Sequence, residues 1–509
     1  MIYSTENREP QHIFDVAIIG GGVAGMATAA RLQAKGLTTI VCEAHREPGG
    51  CAGFFRRKGF AFDVGATTLV DFEPGGVGGE LLEQIGMPAV EGEALPGYVA
   101  WLPDRQVTLY RDPRKWAAER LLKLGDSPAH QRWWGMIDRI AEAFWKASRR
   151  GIKMPLRNLP DLIRAARSLD IGDWPLVRHL NKTVGDSLRS IGLRDDRALT
   201  GLLSMLIEDT VHSTIDDSPL INAALGMTIR GAGLTRSAGG MRGFWKRFTA
   251  RYRSMGGELK TSCRAQRIEF CGSGSRSERR RFRIRAGEET IVARQVVCAL
   301  PIQATAELAP DVVGGRLRRY LERDNRRLGG AVVAFLGVPE EEVANQEFTH
   351  HQLLQSYDKP LGNGNNMFIS VSSPGDLESA PPGRRAVMIS THCELGEWEH
   401  LTADEYESKK KLIGRQLVDF ARRVYPDLGK QAVVFEIGTP QTYERFTLRP
   451  RGAVGGARQT LANSNQHAVP HDLGIPGFWL AGDATWPGLG TVACALGSRL
   501  VAEAVLAEA

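Results

Sequence analysis

The chain has 509 residues, 42% of them hydrophobic and 24% charged, which allows two or three domains with a large core and excludes global disorder. A formal net charge of +7 on this length gives no argument for nucleic acid as a partner. The seven scattered cysteines form no C-x-x-C pair, so they suit a reduced compartment and support neither a disulfide framework nor a zinc site.

The opening MIYSTENREPQHIF is polar with no apolar core and does not read as a signal peptide, and no run of about eighteen apolar residues predicts a spanning helix. IFDVAIIG predicts a short buried strand, with Val16 to Ile19 apolar in succession. AGMATAARLQAKG then predicts a helix with small residues toward the sheet and Gly36 as C-cap. TTIVCEA predicts a second strand and completes a βαβ unit. Gly20, Gly22 and Gly25 match G-x-G-x-x-G between the first strand and the helix. In that pattern the first glycine permits the tight turn, the second lets a pyrophosphate reach the backbone, and the third lets helix and strand pack closely. The helix start, at Val23 and Ala24, presents free N–H groups and a positive dipole end to the phosphates. Glu43, with Ala44 after it, ends the second strand, placed to accept hydrogen bonds from an adenosine ribose. Arg46 can reach back over the adenosine or the pyrophosphate, and Gly49-Gly50 gives a second close backbone approach. FAFDVGA reads as a short strand ending in Asp63 and Gly65, with Ala66 next.

ALPGYVAWLPDRQVTLYRDP alternates about the turn Pro103-Asp104 and predicts a hairpin. Further on, Trp133, Ile137, Ile140 and Phe144 form an apolar helical stripe, widened by Trp134, Ala141 and Trp145. Residues 131–170 hold nine Arg/Lys against four Asp/Glu. A basic amphipathic helix with tryptophan signals a membrane-surface contact; a helix packed on its own domain with a solvated basic face is the other reading. In LLSMLIEDTVHSTIDD, Glu208 and His212 stand at i, i+4 and share a helical face with Asp209. Inside an apolar cavity these would be an acid or base with perturbed pKa values; on the surface they would be ordinary polar groups. The stretch from Gly239 predicts a helix and a strand, and RQVVCALP (Arg294 to Pro301) another strand. RSERRRFRIR (276–285) reads as a solvated hairpin, because no aromatic platform or recognition module for nucleic acid accompanies it. GAVVAFLGV and MFISVSSPGDLESAPPGRRAVMISTHC predict strands of a mixed sheet flooring a substrate cavity. H-E-x-x-H is absent, His350-His351 suits a loop better than a metal, and no metal site is predicted. GIPGFWLAGDATWPGLGTVACALGSRLVAEAVL holds a strand (Phe478 to Ala481), then Gly482-Asp483, a glycine-spaced turn and a final helix.

The glycine turn, the acidic end of the second strand, the G-G pair, the F-D-x-G turn and the terminal G-D, in this order, resemble the FAD-dependent amine oxidase and phytoene desaturase superfamily. The resemblance implies FAD as cofactor and an α/β fold. Its first part is a Rossmann-type FAD-binding domain, glutathione reductase-like, from residues 1–90, 231–305 and 470–509. Its second is a discontinuous substrate domain of mixed sheet plus helices, from 91–230 and 306–469, with a membrane-contacting helical region around 131–170. Backbone near Ala265 is then placed at the adenine, and Asp483 after Gly482 at the ribityl and phosphate region. Gly490, Thr491 and Val492 turn helix N–H groups to the pyrimidine end of the isoalloxazine, where a helix N-terminus stabilises the negative charge of reduced flavin. Cys51 reads as a redox or attachment site, or more plainly as a small packing residue. No second G-x-G-x-x-G unit for a nicotinamide is visible.

LPGYVAWLPDRQVTLY, ISVSSPGDLESAPPGRRAVMISTH (369–392), GTPQTYERFTLRPRGAVGG (438–456) and GDATWPGLGTVACALGSR resemble carotenoid desaturases and isomerases. The third stretch is most similar to the C-3',4' desaturases and the prolycopene isomerases. Trp486 beside Pro487 departs from the common pattern, either shaping the flavin-side cavity or packing, and leaves the bond attacked open. The resemblance implies an apolar polyene substrate, a carotenoid or C30 analogue, taken from a membrane by a cytoplasmic, peripherally membrane-associated enzyme. A hydride would go to flavin N5 and a proton would leave the neighbouring carbon, with oxygen or a quinone as final acceptor. Desaturation leads; isomerisation with reduced FAD and amine oxidation are the alternatives. Glu208, Asp209 and His212 are the candidate acid–base residues, and Arg449 or Arg451 is a catalytic or structural group near the flavin.

Overall fold

The computed structural model describes residues 12–271 and 281–509, so the first eleven residues and the basic stretch 276–280 lie outside the described residues. Two large sheets carry the described chain. The first orders Glu258–Lys260, Thr39–Cys42, Ile13–Ile19, Glu289–Cys298, Arg281–Ala286 and Arg267–Cys271, with Phe478–Leu480 added beside the end of Glu289–Cys298. The strands Glu258–Lys260, Thr39–Cys42, Ile13–Ile19, Glu289–Cys298 and Phe478–Leu480 pair in parallel. The last two strands of the main order form an antiparallel extension.

Parallel strands are covered on both faces and therefore read as unbroken apolar runs. Val16 and Ile18 pack under the helices Val23–Ala34 and Thr491–Glu508, while Ala17 and Ile19 face Ile268, Phe282 and Leu317 on the other side. The register sets Ile19 beside Cys42 and Cys298, and Cys298 beside Leu480. The carboxyl ends of these strands thus lie in one row. Gly20, Glu43, Ala299 and Gly482 leave from it in the crevice where α/β sheets bind ligands.

The second sheet orders Val434–Gly438, Gly329–Pro339, Arg384–Glu394, Asn366–Val371, His350–Leu354, Gly97–Trp101 and Gln106–Tyr110. It is antiparallel except where His350–Leu354 meets Gly97–Trp101. The helix Ala403–Ala421 covers one face through Leu417, Val418 and Ala421. The other face, with Val333, Phe335 and Met388, looks onto a cavity. The helices Pro128–Arg149, Arg197–Val211 and Leu220–Met227 supply its opposite wall.

Two expectations change here. The stripe Trp133, Trp134, Ile137, Ile140, Phe144 and Trp145 does lie on one helix, but it is buried in the protein's own core. Trp133 donates to Ser187 Oγ at 3.0 Å and Trp145 to Thr228 Oγ1 at 3.0 Å. This stripe is therefore unavailable to a lipid surface. His350 and His351 sit in a strand instead of a loop, fully buried. Burial pushes His351 down to about 4 and His350 well below its ordinary value, and both rings are spent on internal hydrogen bonds, His350 to Ser370 and His351 to the carbonyl of Phe348.

Candidate active site

One cavity of about 1920 Å³ runs from the carboxyl ends of the first sheet to the inner face of the second. That is roughly twice the upper end of the usual range for single small-ligand pockets, about 300–1,000 Å³, and leaves room for a dinucleotide together with a second large molecule. Gly20, Gly22, Val23, Ala24, Glu43, Ala44, Arg46, Gly49, Gly50, Gly65, Ala66, Ala265, Gly482, Asp483, Gly490, Thr491 and Val492 all line it.

The glycines divide by what a side chain would meet. A Cβ on Gly25 would fall 2.0 Å from the carbonyl oxygen of Gly20, so this glycine serves helix–strand contact, and it does not line the cavity. A Cβ on Gly22 would meet nothing nearer than Gly49 O at 4.0 Å, and one on Gly490 nothing within 4 Å. Protein packing leaves both positions free on the cavity side, as a ligand pressed against the backbone requires. Gly22 and Gly490 are also the N-caps of Val23–Ala34 and Thr491–Glu508, with no side-chain cap and no acidic residue in either first turn. Two helix starts without a capping side chain and with positive dipole ends therefore open on one cavity. They fit the pyrophosphate and the electron-rich ring of a flavin dinucleotide.

The surrounding backbone is braced. Gly49 N–H donates to Gly21 O at 2.9 Å, and Trp245, on the helix Gly240–Ser254, donates to Ala52 O at 2.7 Å. Glu43 accepts from the N–H groups of Gly21 at 2.6 Å and His45 at 2.7 Å. Burial raises its pKa against those hydrogen bonds. Asp63 turns away from the cavity, accepting from Met241 N–H at 2.8 Å and pairing with Arg236 at 3.1 Å. Asp483 pairs with Arg449 at 2.9 Å, both largely buried, and Arg449 also donates to Gly455 O. Burial works against the Arg449 charge, but Asp483 outweighs it and the pKa is raised. Arg451 instead pairs with Glu399 away from the cavity, which separates the two arginines. Cys51 and Trp486 both line the cavity.

Beyond Asp483 the wall becomes apolar, with Tyr98, Phe144, Trp145, Ile221, Leu225 and Phe368. One titratable island interrupts it. The helix Arg197–Val211 ends before His212, which takes a left-handed conformation (φ 52°), so the predicted i, i+4 pair of Glu208 and His212 does not form. Glu208 does not line the cavity; it pairs at 3.4 Å with His392 of the strand Arg384–Glu394 and accepts from Asn366. His392 does line the cavity, 4.9 Å from the ring of His212 and edge-on to it. Asp209 lines it too, accepting from Gln352 at 3.2 Å.

Three pKa directions follow. Asp209 is raised by burial, with His392 and Arg230 opposing. His212 is driven well below its ordinary value by burial and by the nearby His392. Burial opposes charge on His392, yet Glu208 prevails and raises it. His392 was not legible as a site residue. Its partner lies 184 positions away in sequence, and its own neighbours read only as a strand.

The comparisons agree with this geometry. A family model described as flavin containing amine oxidoreductase matches residues 23–506. The prolycopene isomerase of Daucus carota is 22% identical over 507 residues, covering 97% of this chain and 80% of that one. The lycopene-forming phytoene desaturase of a Paracoccus species is 22% identical over 521 residues, covering 96% and 97%. Putrescine oxidase bound to putrescine superimposes with a TM-score of 0.65 at 15% identity, covering 98% of this chain and 100% of that one.

Proposed function

The chain belongs to the flavin-containing amine oxidoreductase family, among the carotenoid desaturases and isomerases, and we propose that it desaturates a long conjugated isoprenoid chain. It is an FAD-dependent oxidoreductase. The observation that supports the finer reading is that one cavity lining combines a dinucleotide cradle, an apolar wall and the acid–base island of Asp209, His212 and His392. In this reading the first sheet and its helices are the FAD domain (1–90, 231–305 and 470–509), and 91–230 with 306–469 hold the substrate.

When bound, FAD supplies a hydride acceptor. The starts of Val23–Ala34 and Thr491–Glu508 hold its anionic parts. Phe144, Trp145, Ile221, Leu225 and Phe368 receive the polyene and keep water out. Asp209 takes up the proton lost by the carbon next to the one that loses hydride. Its raised pKa makes it a better base than a solvent-exposed carboxylate. His392, kept charged by Glu208, steadies Asp209 as the carboxylate before that transfer. Oxygen or a quinone would serve as final electron acceptor, and the enzyme, in this reading cytoplasmic, would work at a membrane surface because its substrate does not dissolve in water.

Anaerobic mixing of the FAD-loaded protein with a polyene tests the reading. Desaturation bleaches the oxidised flavin and gives a red-shifted product two hydrogens lighter. A second reading, cis–trans isomerisation, is favoured by the similarity to prolycopene isomerases along almost the whole chain. It requires pre-reduced flavin and a product of unchanged mass.

A further inference from the structure

The helix Leu159–Ser168 is built inside out. A surface helix normally turns its apolar residues inward. At about 100° per residue, Asp161 and Ser168 share one face, Leu159 and Ile163 lie opposite it, and Leu162 lies on the flank. The polar pair is the buried one, at 5% and 3% exposure, whereas the three apolar side chains are 67%, 51% and 42% exposed. Polar bonds hold this orientation. Asp161 pairs with Lys153 at 2.8 Å and accepts from Arg157 N–H at 3.1 Å. Arg150 donates to Ser168 O at 3.3 Å, and Arg164 pairs with Glu503 of the C-terminal helix.

The chain that follows repeats the pattern. Ile171 is 90% exposed and Trp174 48%. Arg167, Arg178 and Lys182 are exposed, and none forms an ion pair among the described residues. Of the three acidic residues in 159–182, Asp161 is taken by Lys153 and Asp170 by Lys146 and Arg150, leaving Asp173 alone. Ile152 and Met154 just before this segment, and Leu180 near its end, line the cavity.

We propose that residues 159–182 are a docking face for an anionic lipid bilayer. Leu159, Leu162, Ile163, Ile171 and Trp174 enter the headgroup boundary, and Arg167, Arg178 and Lys182 face the lipid charge. Surplus positive charge around the apolar side chains selects this occupant over a neutral surface. No helix among the described residues is long and apolar enough to cross a membrane, so the contact is interfacial. The purpose assigned to it, delivery of an apolar substrate to the cavity, rests on the proposed function; the binding itself does not.

The test is flotation of the full-length, FAD-loaded protein with vesicles of phosphatidylcholine alone and of phosphatidylcholine mixed with phosphatidylglycerol. The protein is expected to float with the mixed vesicles, less so in high salt, and weakly with phosphatidylcholine alone. Brominated lipid should quench part of its tryptophan fluorescence, and Trp174→Phe should remove that part. Arg167→Gln/Arg178→Gln/Lys182→Gln should weaken partition onto mixed vesicles by about a hundredfold, from about fivefold for each basic residue. Leu162→Ser/Ile163→Ser/Ile171→Ser should abolish flotation with flavin absorbance and melting temperature unchanged. Equal flotation of native and variant proteins, or of native protein on both vesicle types, overturns the proposal. So does self-association of the native chain that the serine variant dissolves, which would make the occupant a second copy. Turnover of a detergent-dispersed polyene reads the proposed function separately: flotation without turnover refutes that function alone, and turnover without flotation refutes the docking face alone.

Discussion

Two alanine substitutions in one glycine motif should fail for different reasons. In Gly25→Ala the new Cβ lies 2.0 Å from Gly20 O and 3.0 Å from the Ala299 side chain. Both the helix and the strand must shift. Overpacking typically costs about 1–3 kcal/mol, and a clash with backbone oxygen belongs at or above the top of that range. At roughly 2 °C per kcal/mol for a large domain, the apo protein should melt about 5 °C or more below wild type. In Gly22→Ala the backbone already sits at φ −72° and ψ −179°, which alanine adopts freely, and the nearest atom to the Cβ is 4.0 Å away. Apo stability should stay within about 0.5 kcal/mol of wild type. The methyl group instead occupies the space of the pyrophosphate. The same overpacking range, now charged to binding, weakens FAD by about 5- to 150-fold. Thermal unfolding of apo protein and titration with FAD followed by flavin fluorescence separate the two effects. If Gly22→Ala binds FAD as wild type does, or melts as low as Gly25→Ala, the cofactor does not lie against Gly22.

Asp209→Asn should lower kcat by about 10²–10⁴-fold and leave stability equal or higher, because a buried carboxylate is replaced by a neutral group that still accepts from Gln352; an unchanged kcat removes Asp209 from the reaction. Glu208→Gln should lose stability in a pH-dependent way. The folded pKa of His392 lies above 6.5, so its stabilisation is full below pH 6.5 and is lost as pH rises through the folded value. The gap in urea midpoint between wild type and Glu208→Gln should therefore be widest on the acid side of that window, above the carboxylate range, and close at alkaline pH. A gap that does not vary with pH refutes the pairing. Arg449→Met leaves Asp483 buried without a partner and should cost about 3 kcal/mol, with Arg449→Met/Asp483→Leu recovering most of it in the same urea titration.

The FAD end was legible in sequence because its determinants are local. A turn that needs φ 104° at Gly20, a helix start two residues on and an acidic residue closing the next strand all lie within about thirty positions, and short-range sterics place them whatever the rest of the chain does. The hairpin Gly97–Trp101 with Gln106–Tyr110, and the strands Gly329–Pro339, Asn366–Val371 and Arg384–Glu394, were readable for the same reason, as alternation and turn chemistry travel with the segment, whereas His350–Leu354 read as a loop. Folding alone decided the acid–base island. Glu208 met His392 on a strand 184 positions later, and His212, just past the helix end, came to lie against the His392 ring instead of Glu208. Only the assembled core could show that Trp133 and Trp134 face inward while Leu159, Leu162 and Ile163 face out. Periodicity reports that a helix has an apolar side, and the neighbours available to bury it determine which way that side turns.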